Sequence, residues 1–248
     1  MRRTLAAALG LLLTGGMAMA ATPLGGDDTG FIAPDKNTLK CVDGVGKAAS
    51  KLAGAIFKCQ TAQADASLKA GGVSQDDEAC ETAATGKYNA AVAKLTGCPS
   101  CLDTGMIRDT TVSQIDGLAN AALYCDPPTG GTPFGGDDLG NIPPDKTTAK
   151  CEDTAVKAVS KLTAAIAKCH AKQADTSFKL GSPQDDDTCE SAAKTKFTTA
   201  TGKLTLATCP AAGCLITLLP TIGGLAEPMI DGMNGATYCT SPSGAFLR

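Results

Sequence analysis

The chain has 248 residues, with twelve cysteines, one histidine, no tryptophan, three tyrosines and six phenylalanines, and its formal net charge is −3. A mildly acidic total excludes general nucleic-acid binding, which needs a basic surface. With so few large side chains the core must be thin, and the cysteines read as its staples.

The opening "MRRTLAAALGLLLTGGMAMA" (1–20) has two arginines, an apolar run and small residues before Ala21. This is the pattern of a secretory signal peptide, with the cut expected after Ala20. The apolar run is shorter than the ~20 residues needed to span a bilayer. With no cysteine at the cut, a lipoprotein anchor is not expected. Removal of Arg2 and Arg3 takes the net charge from −3 to −5. No later stretch reads as a transmembrane anchor, so the expected product is secreted or periplasmic. There, twelve cysteines form six disulfides.

The remainder is written twice. "TPLGGDDTGFIAPDKNTLKC" (22–41) matches "TPFGGDDLGNIPPDKTTAKC" (132–151), and "IDGLANAALYC" (115–125) matches "IDGMNGATYC" (230–239). The organisation expected is a first module with its linker at 21–130 and a second at 131–248. "DPPTGG" (126–131) is the linker, rich in turn-forming residues. "TSPSGAF" (240–246) loosely echoes the linker and a module start.

Within the first module, Cys41, Val45, Ala49, Leu52, Ile56 and Cys59 step by three or four, as do Cys80, Ala84, Tyr88, Ala91, Leu95 and Cys98. Such steps hold one helix face. Eighteen residues separate the end cysteines of each stripe, so both point the same way, about 27 Å apart. Folding the second helix back pairs Cys41 with Cys98 and Cys59 with Cys80. Val45 then meets Leu95, Ala49 meets Ala91, Leu52 meets Tyr88, and Ile56 meets Ala84. The second module implies Cys151–Cys209 and Cys169–Cys189. Start signals for the second helix are Ser74 with Asp77 and, in the other copy, Ser182 with Asp185 and Pro183. "KAGG" (69–72) and "KLGS" (179–182) stop the first.

A third helix is expected from about Met106 to Cys125, with Val112, Ile115, Leu118 and Ala122 on its apolar side, tied by Cys101–Cys125. Its counterpart, Cys214 to Cys239, contains Pro220, Gly223, Gly224 and Pro228 and reads as broken or kinked. The expected fold is therefore all-α: two tandem disulfide-stapled helical-hairpin modules, each with a third helix and an extended N-terminal arm. Six cysteines permit fifteen connectivities per module, which leaves the third bridge of each open.

Candidate sites are few. "CPSC" (98–101) ends a helix instead of starting one, and its copy "CPAAGC" (209–214) has a different spacing, so redox chemistry is not implied. Neither copy has the haem-attachment pattern. His170 stands where the first copy has Gln60, and a lone histidine completes neither a triad nor a zinc site; it reads as a surface residue near a helix end. "GGDD" at 25–28 and 135–138 reads as turns. "QDDE" (75–78) and "QDDD" (184–187) complement helix dipoles. The calcium-loop pattern Asp-x-Asp-x-Asp-Gly is absent.

The most suggestive feature is basic. Lys40, Lys47, Lys51 and Lys58 share one helix face, as do Lys150, Lys157, Lys161 and Lys168. Each row is a solvated face or a ladder for an anionic partner. The function expected is that of an exported, non-catalytic structural or interaction protein that binds an anionic polysaccharide or another protein through these rows. The alternative is a carrier with an apolar cavity between hairpin and third helix. No motif specifies an enzyme, a cofactor or a metal.

Overall fold

The computed structural model describes residues 22–239; the expected signal peptide and the tail echo at 240–246 lie outside the described residues. The fold is mostly helical, as expected. In chain order it comprises a hairpin of β1 (Pro23–Gly25) and β2 (Asp28–Phe31), α1 (Lys36–Lys69), α2 (Glu78–Val92), α3 (Thr104–Gln114), a π-helical turn (Ile115–Ala119), α4 (Asn120–Leu123), α5 (Lys146–Leu180), α6 (Asp187–Thr201) and α7 (Gly213–Thr237).

Repeated local signals set the two long helices. Asp35 accepts from the amides of Asn37 and Thr38 to cap α1, and Asp145 accepts from Thr147 and Thr148 to cap α5. Gly71 and Gly181 adopt positive φ where these helices end, as a left-handed cap requires. α2 packs on α1 and α6 on α5, while α1 and α5 pack against each other. The main hydrophobic cluster spans both hairpins, with Leu52, Ile56, Tyr88, Leu162, Ile166 and Phe197 all buried in it, and two smaller clusters lie beside it. Each such side chain stabilises the fold by roughly 1.5–3 kcal/mol.

Four bridges join the cysteines as expected: Cys41–Cys98, Cys59–Cys80, Cys151–Cys209 and Cys169–Cys189. The second stripe is shorter than expected, however. α2 stops at Val92, and Gly97 (φ 72°) turns the chain before Cys98. Ala91 and Ala200 are exposed, whereas Thr201 is buried and Val92 packs on the core. The capping serines are also displaced, since α2 and α6 start after Asp77 and Asp186.

The third pair of bridges differs from expectation. Cys101 joins Cys239 and Cys125 joins Cys214, so both bridges cross between the repeats. Cys101 and Cys125 bracket a helical rod running from Thr104 to Leu123, about 30 Å long at ~1.5 Å per residue. Its ends cannot meet in one disulfide, which tolerates at most about 7 Å between Cα atoms. The same holds for Cys214 and Cys239 across α7. The two rods instead lie antiparallel and are tied at both ends.

α7 is a single helix with Pro220 and Pro228 inside it, not a broken one. By length and composition it is also apolar enough to cross a membrane, with a mean hydropathy of 1.4 over its best window. This departs from the expectation that no stretch after residue 20 reads as a transmembrane anchor. Here α7 is pinned by Cys214 and Cys239 and buries Asp231 and Asn234.

The arms are exchanged too. Leu24 O accepts from Gln184 N, whereas Gly135 N donates to Gln75 O, so each arm docks on the other repeat's hairpin. Phe31 N donates to Tyr238 O and Asn141 N to Tyr124 O, a reciprocal pair. Tyr238 Oη donates to Asp43 and Tyr124 Oη to Asp153, again across repeats. Glycine permits this approach: a Cβ on Gly25 would come within 2.5 Å of Gln184 O, and one on Gly135 within 2.6 Å of Gln75 O.

The π turn has a sequence cause. "IDGLANAALYC" is one residue longer than "IDGMNGATYC", and the π turn falls where the extra residue lies. A π turn absorbs an insertion without changing the faces on either side. Asp116 and Asn120 thus point inward, as Asp231 and Asn234 do in the uninterrupted α7.

Candidate functional site

The exchanged arms carry the second aspartate of each "GGDD" into the opposite half, where it completes a buried carboxylate cluster. In the first hairpin, Asp77 and Glu81 come from the start of α2, Asp116 from the π turn and Asp138 from the second arm; all are buried. Gln63 Nε2 donates to Asp138 Oδ2 at 2.8 Å, Asn120 Nδ2 to Asp138 Oδ1 at 3.1 Å, and Gln60 Nε2 to Asp116 Oδ1 at 3.2 Å. Asp77 holds the cap position of α2 without capping it, because its carboxylate turns inward.

The second hairpin repeats the arrangement with Asp186, Glu190, Asp231 and Asp28. Gln173 Nε2 donates to Asp28 Oδ2 at 2.8 Å and Asn234 Nδ2 to Asp28 Oδ1 at 3.1 Å. The difference lies at one position: His170 replaces Gln60. Its Nε2 stands 3.0 Å from Glu190 Oε1, 3.1 Å from Asp28 Oδ1 and 3.2 Å from Asp231 Oδ1. Only the Glu190 contact has hydrogen-bond geometry, and Asp231 Oδ1 lies out of line.

His170 is therefore a buried residue, 3% exposed, and not the surface histidine read from its position near a helix end. Burial by itself would lower its pKa; Asp231, Asp28, Asp186 and Glu190 outweigh burial and raise it to about 9. It is an imidazolium at neutral pH. Six of these carboxyls are pushed up, first by burial and then by neighbouring acids: Glu81 to about 9, Asp77 and Asp186 to about 8, Glu190 to about 7 and Asp116 to about 6, with Asp138 raised as well. Four carboxylates in so little water hold protons or a cation. The acidic runs at 25–28, 75–78, 135–138 and 184–187 are thus more than turns and dipole partners: each sends one carboxylate inward. Sequence reading missed the clusters because their acids lie on three separate segments. A findable signal was present, since Asp28/Asp138, Asp77/Asp186, Glu81/Glu190 and Asp116/Asp231 are acidic in both copies.

The lysine rows are where the periodicity places them. Lys40, Lys47, Lys51, Lys58, Lys150, Lys157, Lys161 and Lys168 are all exposed, and among the described residues none is in an ion pair. Cys98 and Cys101 enter different bridges, as befits structural cysteines.

Between the antiparallel rods lies an apolar groove of about 230 Å³, floored by α1 and α5. Ala53, Phe57 and Val159 form its base, with Ile115 and Leu118 on one wall and Ile222 and Met229 on the other. Leu118 (76% exposed) and Leu225 (54%) stand open at its edge. Its only charged or basic side chains are Lys47 and His170. A second hollow of about 430 Å³ separates α6 from α7, but fewer elements converge on it and polar groups contribute more to its walls. Comparison with protein families, curated proteins and solved structures finds no match.

Proposed function

We propose that the protein is an exported, non-catalytic carrier that holds a small apolar ligand with an anionic head in the groove between the two rods. The observation that carries this reading is the groove itself. An apolar trough open to solvent, with uncovered Leu118 and Leu225 at its lip, marks a binding surface. Lys47 at its edge supplies the positive charge for a head group. Six disulfides support an oxidising compartment, and the leader pattern supports export.

The test is displacement of an environment-sensitive apolar dye by medium-chain fatty acids and by the matching alcohols. Acids should compete at least about tenfold better than alcohols, and Lys47→Glu should remove that preference. Leu118→Glu, at an exposed site, should weaken both without lowering stability. Absence of dye binding by the folded, oxidised protein would end the reading.

The exposed lysine rows favour a second reading, in which an anionic polysaccharide or another protein is the partner. Reversing the charge of Lys150, Lys157, Lys161 and Lys168 and measuring retention on anionic polymers separates the two, because none of these residues lines the groove.

A further inference from the structure

We propose that the Gln60 cluster is a calcium site, in which Asp77, Glu81, Asp116 and Asp138 hold one Ca²⁺ per chain, and that the matching cluster binds none because the His170 ring nitrogen already stands where the ion would.

The geometry of the second cluster locates the point. Three carboxylates from the arm, α6 and α7 approach one nitrogen at 3.0–3.2 Å. A cation among those oxygens would sit on top of that nitrogen. In the first cluster the corresponding acids are Asp138, Glu81 and Asp116, and Gln60, which takes the place of the ring, is neutral. Oxygens of Asp77, Glu81 and Asp138 all lie within 4.8 Å of one another. Ligands on opposite sides of a Ca²⁺ are about 4.6–5.2 Å apart, since each Ca–O distance is roughly 2.3–2.6 Å.

An independent observation comes from the amides. Gln60, Gln63 and Asn120 are at most 2% exposed, and each reaches the cluster with its NH₂ group. Their carbonyl oxygens have no donor. Asp77 Oδ2, Glu81 Oε1 and Asp116 Oδ2 are also buried without a partner. Protons shared among the acids could satisfy some of these atoms, whereas a hard cation satisfies the acids directly and, once an amide turns over, its carbonyl oxygen as well. Oxygen donors without nitrogen or sulfur select Ca²⁺, Mg²⁺ or Mn²⁺. A dry, many-oxygen cage favours Ca²⁺, because Mg²⁺ keeps its waters. The site is separate from the groove and does not depend on its ligand.

The experiment is calorimetric titration of the full oxidised chain, stripped with chelator, with CaCl₂, together with elemental analysis after gel filtration. The native chain should bind one equivalent. Glu81→Gln should weaken binding by about tenfold or more, while Glu190→Gln, its twin, should leave it unchanged. Two exchanges decide the asymmetry: His170→Gln should raise the stoichiometry to two, and Gln60→His should reduce it to zero. Circular dichroism and non-reducing peptide mapping confirm that each variant is folded. The proposal is overturned by zero or two equivalents in the folded native chain at about 1 mM Ca²⁺, or by unchanged binding in both Glu81→Gln and Gln60→His.

Discussion

The two halves of the molecule place the same four acids, the same flanking glutamine and the same asparagine around a buried point, and then treat the charge differently. In the half built around α5, His170 is an internal cation held among carboxylates from three elements. In the half built around α1, Gln60 offers only an amide. A duplicated scaffold can therefore keep its acids while one position sets how their charge is balanced. A second contrast follows the same logic. Val42 and Glu152 are equivalent and both are fully buried, but Glu152 has no partner for either oxygen.

The largest effect should come from loosening the halves from each other. Replacing Cys101 and Cys239 by serine opens a loop of about 50 residues, because the remaining Cys125–Cys214 bridge shortens the path between them, whereas the Cys59–Cys80 bridge closes one of 21. The first double variant should lose about 4 kcal/mol and the second about 3, measured by urea unfolding without reductant. Equal losses would show that the inter-repeat bridge adds nothing beyond a local one.

Next comes the pair of cluster centres. His170→Leu leaves carboxylates facing one another without their cation and should cost about 3–5 kcal/mol; Gln60→Leu removes one amide hydrogen bond and should cost about 1 kcal/mol. Because the pKa of His170 is raised from 6.5 to about 9, its contribution is fully present below pH 6.5 and is lost as pH rises through 9. The gap between native and His170→Leu should accordingly close in alkali. A gap independent of pH would mean that the ring acts by packing alone.

The smallest effect has the opposite sign. Burial, then Asp126, pushes Glu152 from its ordinary 4.5 to about 9, so folding is penalised increasingly as pH rises between those values. Glu152→Val, which copies the other half, should stabilise the fold by about 2–3 kcal/mol at pH 7 and flatten the stability profile from pH 5 to 9.

Much of the architecture is legible in the residues. The cysteine spacing, eighteen residues in three stripes and twenty in the fourth, specified two bridges per repeat, and periodicity placed the lysine rows on exposed faces. The third bridges were misread for a reason present in the sequence: a helix from Met106 to Cys125 cannot close on itself through its own ends. The clusters were hidden by the same exchange, because Asp138 belongs to the second arm but completes the first hairpin, and Asp28 does the reverse. Helical periodicity reports which face is apolar; it carries no information on which acids from distant segments converge. His170 was misjudged because α5 runs on to Leu180, which leaves the histidine well inside the helix, where Asp28 from the other repeat's arm covers it.

The crossed cysteine bonds have a consequence for the segment "DPPTGG" between the halves. A protease that cuts there severs the backbone, but Cys101–Cys239 and Cys125–Cys214 still tie the two fragments together. Outside the cell such a nick would release nothing: the molecule would persist as a two-chain protein, its break visible only after reduction.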